Sequence, residues 1–189
     1  MRQDPNIIFV GEIRDEETAG IAVNSATTGH LVLSTLHTNN AATTLPRLID
    51  MKVEPYLVAS TVNVIVAQRL VRKICEKCRV SVVLKTDDFV KNISPVVVKR
   101  QLGTKNEMRA YQGKGCAVCH QTGFMGRVGV FEVMVISDAI RQLIVGKATA
   151  EEITQKAVSE GMTTMLEDGL EKVQQGLTTV EEILRVTKE

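Results

Sequence analysis

Apolar and polar positions fall into clear blocks along the first forty residues. Asn6 to Val10 reads Asn-Ile-Ile-Phe-Val, a continuous apolar run typical of a strand buried on both faces. Gly11 ends it. Asp15 then has the character of a helix N-cap, with Glu16 and Glu17 in the first turn, where free N–H groups favour carboxylates. Ile21, Ala22 and Ala26 give this helix an apolar side, and Gly29 stops it. Residues 31–36 form a second buried-strand pattern. Strand, helix and strand within about 30 residues make a βαβ unit, the building block of parallel sheets.

Further helices are predicted from about Ala42 to Met51 and from Pro55 to about Val64, followed by a strand up to Ile74. Pro46 fits the first of these helices only if it starts near Thr43 or Thr44, which places the proline in the opening turn. The pattern changes at Cys75. Residues 79–112 carry little periodicity beyond a short helix candidate at 87–92. Gly123, Gly126 and Gly129 predict a turn, and residues 128–135 a strand. From Ser137 the pattern is helical, with Ser137, Thr149, Thr163 and Thr178 as caps and capping boxes at Thr149/Glu152 and Thr178/Glu181. The expected division is an α/β core over 1–74, a tetracysteine module over 75–136 and an all-α subdomain over 137–189.

Composition narrows the function classes. The 189 residues hold 23 Lys+Arg against 22 Asp+Glu, so broad electrostatic capture of nucleic acid is not expected. Aromatic residues are 3% with no Trp, too few for base-stacking platforms. No run reaches about 18 apolar residues, and acidic side chains interrupt the first twenty, so neither a bilayer span nor a signal peptide is expected. A soluble, intracellular protein is the expectation.

Four cysteines stand as Cys75-Glu-Lys-Cys78 and Cys116-Ala-Val-Cys119. One Cys-x-x-Cys turn brings two thiolates to one side of a metal ion, and two turns close a tetrahedral shell with no open position. That predicts a structural rather than a catalytic zinc site. Buried free thiols and a redox pair are the alternatives, and His120 adjoins the second pair as a possible substitute ligand.

A buried strand running into Gly11-Glu12-Ile13-Arg14-Asp15 sets a carboxylate at the carboxyl edge of a parallel sheet, where open α/β folds bind ligands. An apolar strand with a terminal acid is also the layout of a Walker B element. His30 and His37 bracket the second strand seven residues apart, so alternation points them to opposite faces. For Glu12 and for each histidine, a purely structural role is the competing reading. No Gly-x-x-x-x-Gly-Lys-Ser/Thr occurs in the sequence.

The wording of these motifs is more specific than their physics. Arg2-Gln-Asp-Pro-Asn-Ile-Ile-Phe-Val-Gly-Glu-Ile-Arg-Asp15 resembles the Walker B region of the secretion ATPases, which power type II secretion and type IV pilus assembly. Thr28-Gly-His-Leu-Val-Leu-Ser-Thr-Leu-His-Thr-Asn39 resembles that family's His box. Ala67-Gln-Arg-Leu-Val-Arg72 with its following cysteines is similar to the family's zinc module, as is the glycine-rich run from Gly115 to Glu132. Gly161-Met, Asp168-Gly and residues 178–187 resemble its last helices. Pro46 and residues 80–112 depart from the pattern. The cysteine quartet favours the extension and secretion branch over the retraction branch.

The resemblance implies part of a RecA-like parallel sheet with helices, a zinc insertion and a helical tail. It implies the C-terminal part of a hexameric ATPase, with the P-loop half outside this sequence. Glu12 would support Mg²⁺ and the attacking water, and His37 would sense the γ-phosphate of ATP. His30 matches the first His-box histidine, while Arg14 and Asp15 would orient Glu12 or meet a neighbouring subunit. Cys75, Cys78, Cys116 and Cys119 would hold zinc. Implied partners are sister subunits and the inner-membrane platform and adaptor proteins, at the cytoplasmic face of a bacterial inner membrane, with no nucleic acid. A non-enzymatic zinc module that docks onto a complete motor is the alternative.

Overall fold

The computed structural model describes residues 5–85, 97, 100 and 107–187. It is mixed α/β. The order is β1 (Ile7–Val10), α1 (Glu16–Thr27), β2 (Leu31–Ser34), α2 (Thr44–Asp50), α3 (Pro55–Thr61), β3 (Val64–Ile74), β4 (Arg79–Lys85) and β5 (Glu107–Gly113). A 3₁₀ turn (Ala117–Cys119) leads into β6 (Phe124–Val135), then α4 (Asp138–Val145), α5 (Ala150–Ser159), α6 (Met165–Gln174) and α7 (Val180–Thr187). The strands pair as β1–β2, β3–β6 and β4–β5. The helix expected at 87–92 lies outside the described residues.

The chain forms two compact units, Met1–Ala67 with Val133–Met162, and Gln68–Glu132 with Thr163–Glu189. This cut differs from the one read off composition. The helical tail is shared: α4 and α5 belong to the first unit, α6 and α7 to the second. Each pair buries its apolar face in a different core, so one helical pattern in sequence does not make one helical layer.

In the first unit β1 and β2 are parallel, with Ile7 opposite Leu31 and Val10 opposite Ser34. Asp15 caps α1 by accepting the Thr18 N–H at 2.8 Å. The buried side of α1 is Ala19, Ala22, Val23 and Ser25, whereas Ile21 is exposed. Pro46 sits in the opening turn of α2, where its missing N–H costs nothing. The core includes Leu45, Leu48, Val58, Met134, Ile140, Ile144 and Ile153. Each fully buried Leu or Ile contributes roughly 2 kcal/mol of transfer free energy. The expectation that β1 and β2 are buried on both faces does not hold here: Ile7, Phe9, Leu31 and Leu33 are exposed. The intervening Val10 and Val32 pack on the core, so among the described residues one face alone is covered.

The second unit holds an antiparallel strand pair that the sequence pattern did not announce. β4 and β5 are antiparallel, with Arg79 opposite Gly113 and Lys85 opposite Glu107. Met108 and Ala110 are its buried side. β6 starts four residues before the expected strand and runs through the expected turn; Gly126, at φ +75, lets it bend without ending. Val71, Ile74, Val130, Leu170, Val173 and Ile183 are buried. The Thr149/Glu152 capping box is present. Thr164 with Glu167, not Thr163, caps α6. At α7 the Glu182 N–H reaches Thr179 Oγ1, one position past the expected cap, because the Thr178 hydroxyl is spent on the Arg72 carbonyl.

Candidate functional site

The strand ends of the first unit gather three of the expected site residues. Glu12 follows β1 and His37 follows β2, both at the carboxyl edge of the parallel pair. Glu12 Oε2 is 2.5 Å from the Arg14 guanidinium, and Glu12 Oε1 is 2.7 Å from His37 Nε2. Glu12 is largely covered (22% exposed), whereas the Arg14 and His37 side chains are open at 73% and 86%. The hydrogen bond from Arg14 is the main cause that holds the Glu12 carboxyl below its ordinary value, with charge from Arg14 and His37 adding to it against the cost of burial. The carboxylate is therefore ionised at neutral pH, beside two groups able to share an anion or a water.

The other two candidates stand elsewhere. Asp15 is the cap of α1, and its bonds to Thr18 lower its pKa. His30 lies before the amino end of β2, so β2 separates it from His37. Its Nδ1 is 2.9 Å from Thr28 Oγ1 and 3.2 Å from the Ser25 carbonyl, which ties it to the end of α1.

In the second unit the four cysteines converge. All four sulfurs lie within 4.8 Å of one another. Cys75 to Cys116 is 3.9 Å, Cys78 to Cys119 3.8 Å and Cys116 to Cys119 3.7 Å. These separations are far too long for disulfides, whose sulfurs lie about 2.05 Å apart. They match a tetrahedron with metal–sulfur bonds of about 2.3 Å, whose edges are about 3.8 Å. Burial alone would raise the Cys119 thiol, but N–H groups of Cys116 and Gly123 outweigh it and lower its pKa to about 6. Those N–H donors lie 3.2 and 3.3 Å from its sulfur. His120 is exposed and stands apart from the cluster.

Two glycines let the segments on either side of Cys116 and Cys119 approach each other. A Cβ on Gly113 would fall 2.0 Å from the Gly123 carbonyl oxygen, and one on Gly123 would fall 2.6 Å from the Gly113 oxygen. Gly123 also sits at φ +76 and gives its carbonyl to the Cys75 N–H at 2.9 Å. Close contact between the two segments that flank Cys116 and Cys119 thus requires glycine at both places.

The family described as "Type II/IV secretion system protein" matches residues 1–185. The chain belongs to this family. It is 46% identical over its whole length to the type IV pilus assembly ATPase PilB of Thermus thermophilus, of which it covers 21%. It is 44% identical to the type II secretion system protein HxcR of Pseudomonas aeruginosa and 46% to the type II secretion system protein E of Xanthomonas campestris, covering 35% and 32% of them. The chain thus spans between a fifth and about a third of these relatives. Its fold is similar to that of the ATPase DotB of Legionella pneumophila, with a TM-score of 0.62 at 23% identity over 98% of this chain and 39% of that one. Among the described residues, no helix is long and apolar enough to cross a membrane.

Proposed function

We propose that this chain is the C-terminal portion of a hexameric ATPase that drives type II protein secretion or type IV pilus assembly. The observation that carries the reading is the meeting of Glu12, Arg14 and His37 at the carboxyl edge of β1–β2. Glu12 is the Walker B carboxylate: ionised and partly shielded, it is suited to accept a hydrogen bond from the attacking water and hold it in line. His37, open to solvent beside it, is placed to donate a hydrogen bond to the terminal phosphate of ATP. Arg14 fixes the Glu12 rotamer and is the cation released when phosphate charge arrives. Mg²⁺, when bound, supplies charge neutralisation at the phosphates. Phosphate-cradling amides come from outside this sequence.

The four cysteines hold a structural zinc ion. Their spacing fits its tetrahedron, and a closed shell of four thiolates leaves no position for substrate. The assembled protein acts on inner-membrane platform and adaptor proteins at the cytoplasmic face of a bacterial inner membrane, without nucleic acid.

Glu12→Gln in the full-length protein tests this reading. Turnover at saturating ATP is expected to fall about 10²-fold or more while nucleotide affinity is kept, since the carboxylate acts on the transition state. Normal turnover with weakened binding would overturn it. The sequence contains no P-loop motif, which favours a second reading, a zinc module that docks onto a complete motor. In that case Glu12→Gln leaves turnover unchanged.

A further inference from the structure

Thr35 grips the backbone on both sides of Glu12. Its hydroxyl donates to the Gly11 carbonyl at 2.8 Å, and its own carbonyl accepts the Ile13 N–H at 2.9 Å. Glu12 is the single residue between these two clamps. Ile13 is further fixed by its side chain, which is buried in the core of the first unit. Two residues after Thr35, His37 reaches the Glu12 carboxylate at 2.7 Å. The far side of the His37 loop is pinned as well: Thr38 Oγ1 is 3.0 Å from Thr44 Oγ1 at the start of α2, and Thr44 is buried.

From this geometry we infer that Thr35 is a positioning residue, which sets the Glu12 carboxylate and ties its place to that of His37. The inference rests on the catalytic reading of Glu12. Any residue at position 35 can supply the carbonyl that holds Ile13. Holding Gly11 needs a side-chain donor, here the hydroxyl, so the side chain decides whether the peptide on the amino side of Glu12 stays put. β1 and β2 are short, four residues each, and their last ladder pair is Val10 with Ser34. Beyond that pair the Thr35 bonds continue the registration of the two chains to the point where the carboxylate leaves the backbone. A displacement of about 1 Å at a reacting group can cost up to ~10²-fold in rate, while leaving substrate contacts made elsewhere intact. Any shift of the His37 segment passes to Glu12 through the same residue.

The test compares Thr35→Val, Thr35→Ala and Thr35→Ser in the full-length ATPase, with Glu12→Gln alongside. Thr35→Val keeps the β-branched shape and the backbone bond and removes one hydroxyl. It is expected to lower kcat about tenfold with ATP affinity unchanged within about twofold, and Thr35→Ala is expected to match it. Thr35→Ser, which keeps the hydroxyl, is expected to restore kcat to near the parent value. A parallel fall of kcat and affinity, tracking a lowered melting temperature and not rescued by serine, would make Thr35 merely structural and overturn the inference. Full kcat in Thr35→Val and Thr35→Ala with collapse in Glu12→Gln would overturn it while sparing the catalytic reading. Full kcat in Glu12→Gln itself would remove that reading and this inference together.

Discussion

Arg72 and Glu182, 110 positions apart in the chain, are joined twice: the Arg72 backbone N–H donates to one carboxylate oxygen at 2.9 Å and its guanidinium to the other at 2.7 Å. Arg185 adds two more bonds at 3.1 and 2.9 Å. The Glu182 side chain is only 3% exposed, so these four donors replace the water it has lost. The pairing fastens the last helix of the second unit to the strand that leads into its cysteine cluster.

Arg72→Ala removes the guanidinium and leaves the buried carboxylate with its Arg185 bonds and the backbone N–H of residue 72. The expected loss is about 2–3 kcal/mol in a denaturant melt, larger than that from Glu182→Gln, which leaves no uncompensated buried charge. The bonds from Arg185 and then Arg72 hold the Glu182 carboxyl far below the usual carboxylate range. Its folded pKa is thus below its unfolded one, near 4.3. The contribution is whole above about pH 5 and declines as pH falls below the unfolded value toward the folded one. A melt series from pH 7 to pH 3 should show that decline in the parent and lose most of it in Glu182→Gln. A decline of equal size in both would mean the pair is not its source.

The cysteine cluster should carry about one zinc ion per chain. Because a site of this kind contributes its binding free energy directly to folding, Cys75→Ser or Cys116→Ser should release the metal and open the second unit to proteolysis. Gly113→Ala should do the same with all four ligands intact, since its methyl would meet the Gly123 carbonyl at 2.0 Å. Metal content by elemental analysis, read against proteolytic lifetime, checks both. Metal-free protein with an unchanged melting curve would refute the site.

What could be read from the sequence was local. Asp15 as a cap, Pro46 in an opening turn and the Thr149/Glu152 box each follow from a few neighbouring residues, and the structure has all three. The cysteine spacing carried its own geometry. The β4–β5 pair was hidden because its buried side is as small as Met108 and Ala110, while its other strand shows alternation without deep burial. The cap at α7 moved by one residue because Thr178 has a partner 106 positions away. Likewise, nothing near His30 in sequence shows that Thr28 and Ser25 take its ring nitrogen. The clamp by Thr35 depends on pairing across 24 positions, which periodicity cannot report.

His30 and Asp15 stand apart from the Glu12 cluster, and this separates a local structural role from a catalytic one. Asp15→Ala removes the bond to the Thr18 N–H and should lower the melting temperature slightly. His30→Ala removes the ring contacts to Thr28 Oγ1 and the Ser25 carbonyl and should act similarly. Both are expected to keep kcat within about twofold of the parent in the full-length protein, against the ~10²-fold fall for Glu12→Gln. A loss in His30→Ala that matches the loss in Glu12→Gln would place this histidine in the reaction.

The isolated 189-residue chain is expected to hydrolyse ATP at background rate. Triphosphate affinity in such ATPases comes from a loop whose N–H groups are free to face the phosphates, with a lysine behind them. The one Gly-Lys pair followed closely by a small hydroxyl residue here is Gly146-Lys147, and its amides are already spent. The Gly146 N–H donates to the Gln142 carbonyl at 2.9 Å and the Lys147 N–H to the Ile144 carbonyl at 3.0 Å, which closes the end of α4. A helix C-terminus also carries the wrong end of the dipole for an anion. On the proposed reading, Glu12 and His37 would orient a water and a phosphate only when a phosphate-binding loop outside this sequence delivers them. The measurement is phosphate release with Mg²⁺ and ATP, for the isolated chain and for the full-length protein at equal concentration. Turnover by the isolated chain that Glu12→Gln abolishes would mean that these residues bind ATP unaided. Absence of turnover from both would leave the zinc module as the better reading.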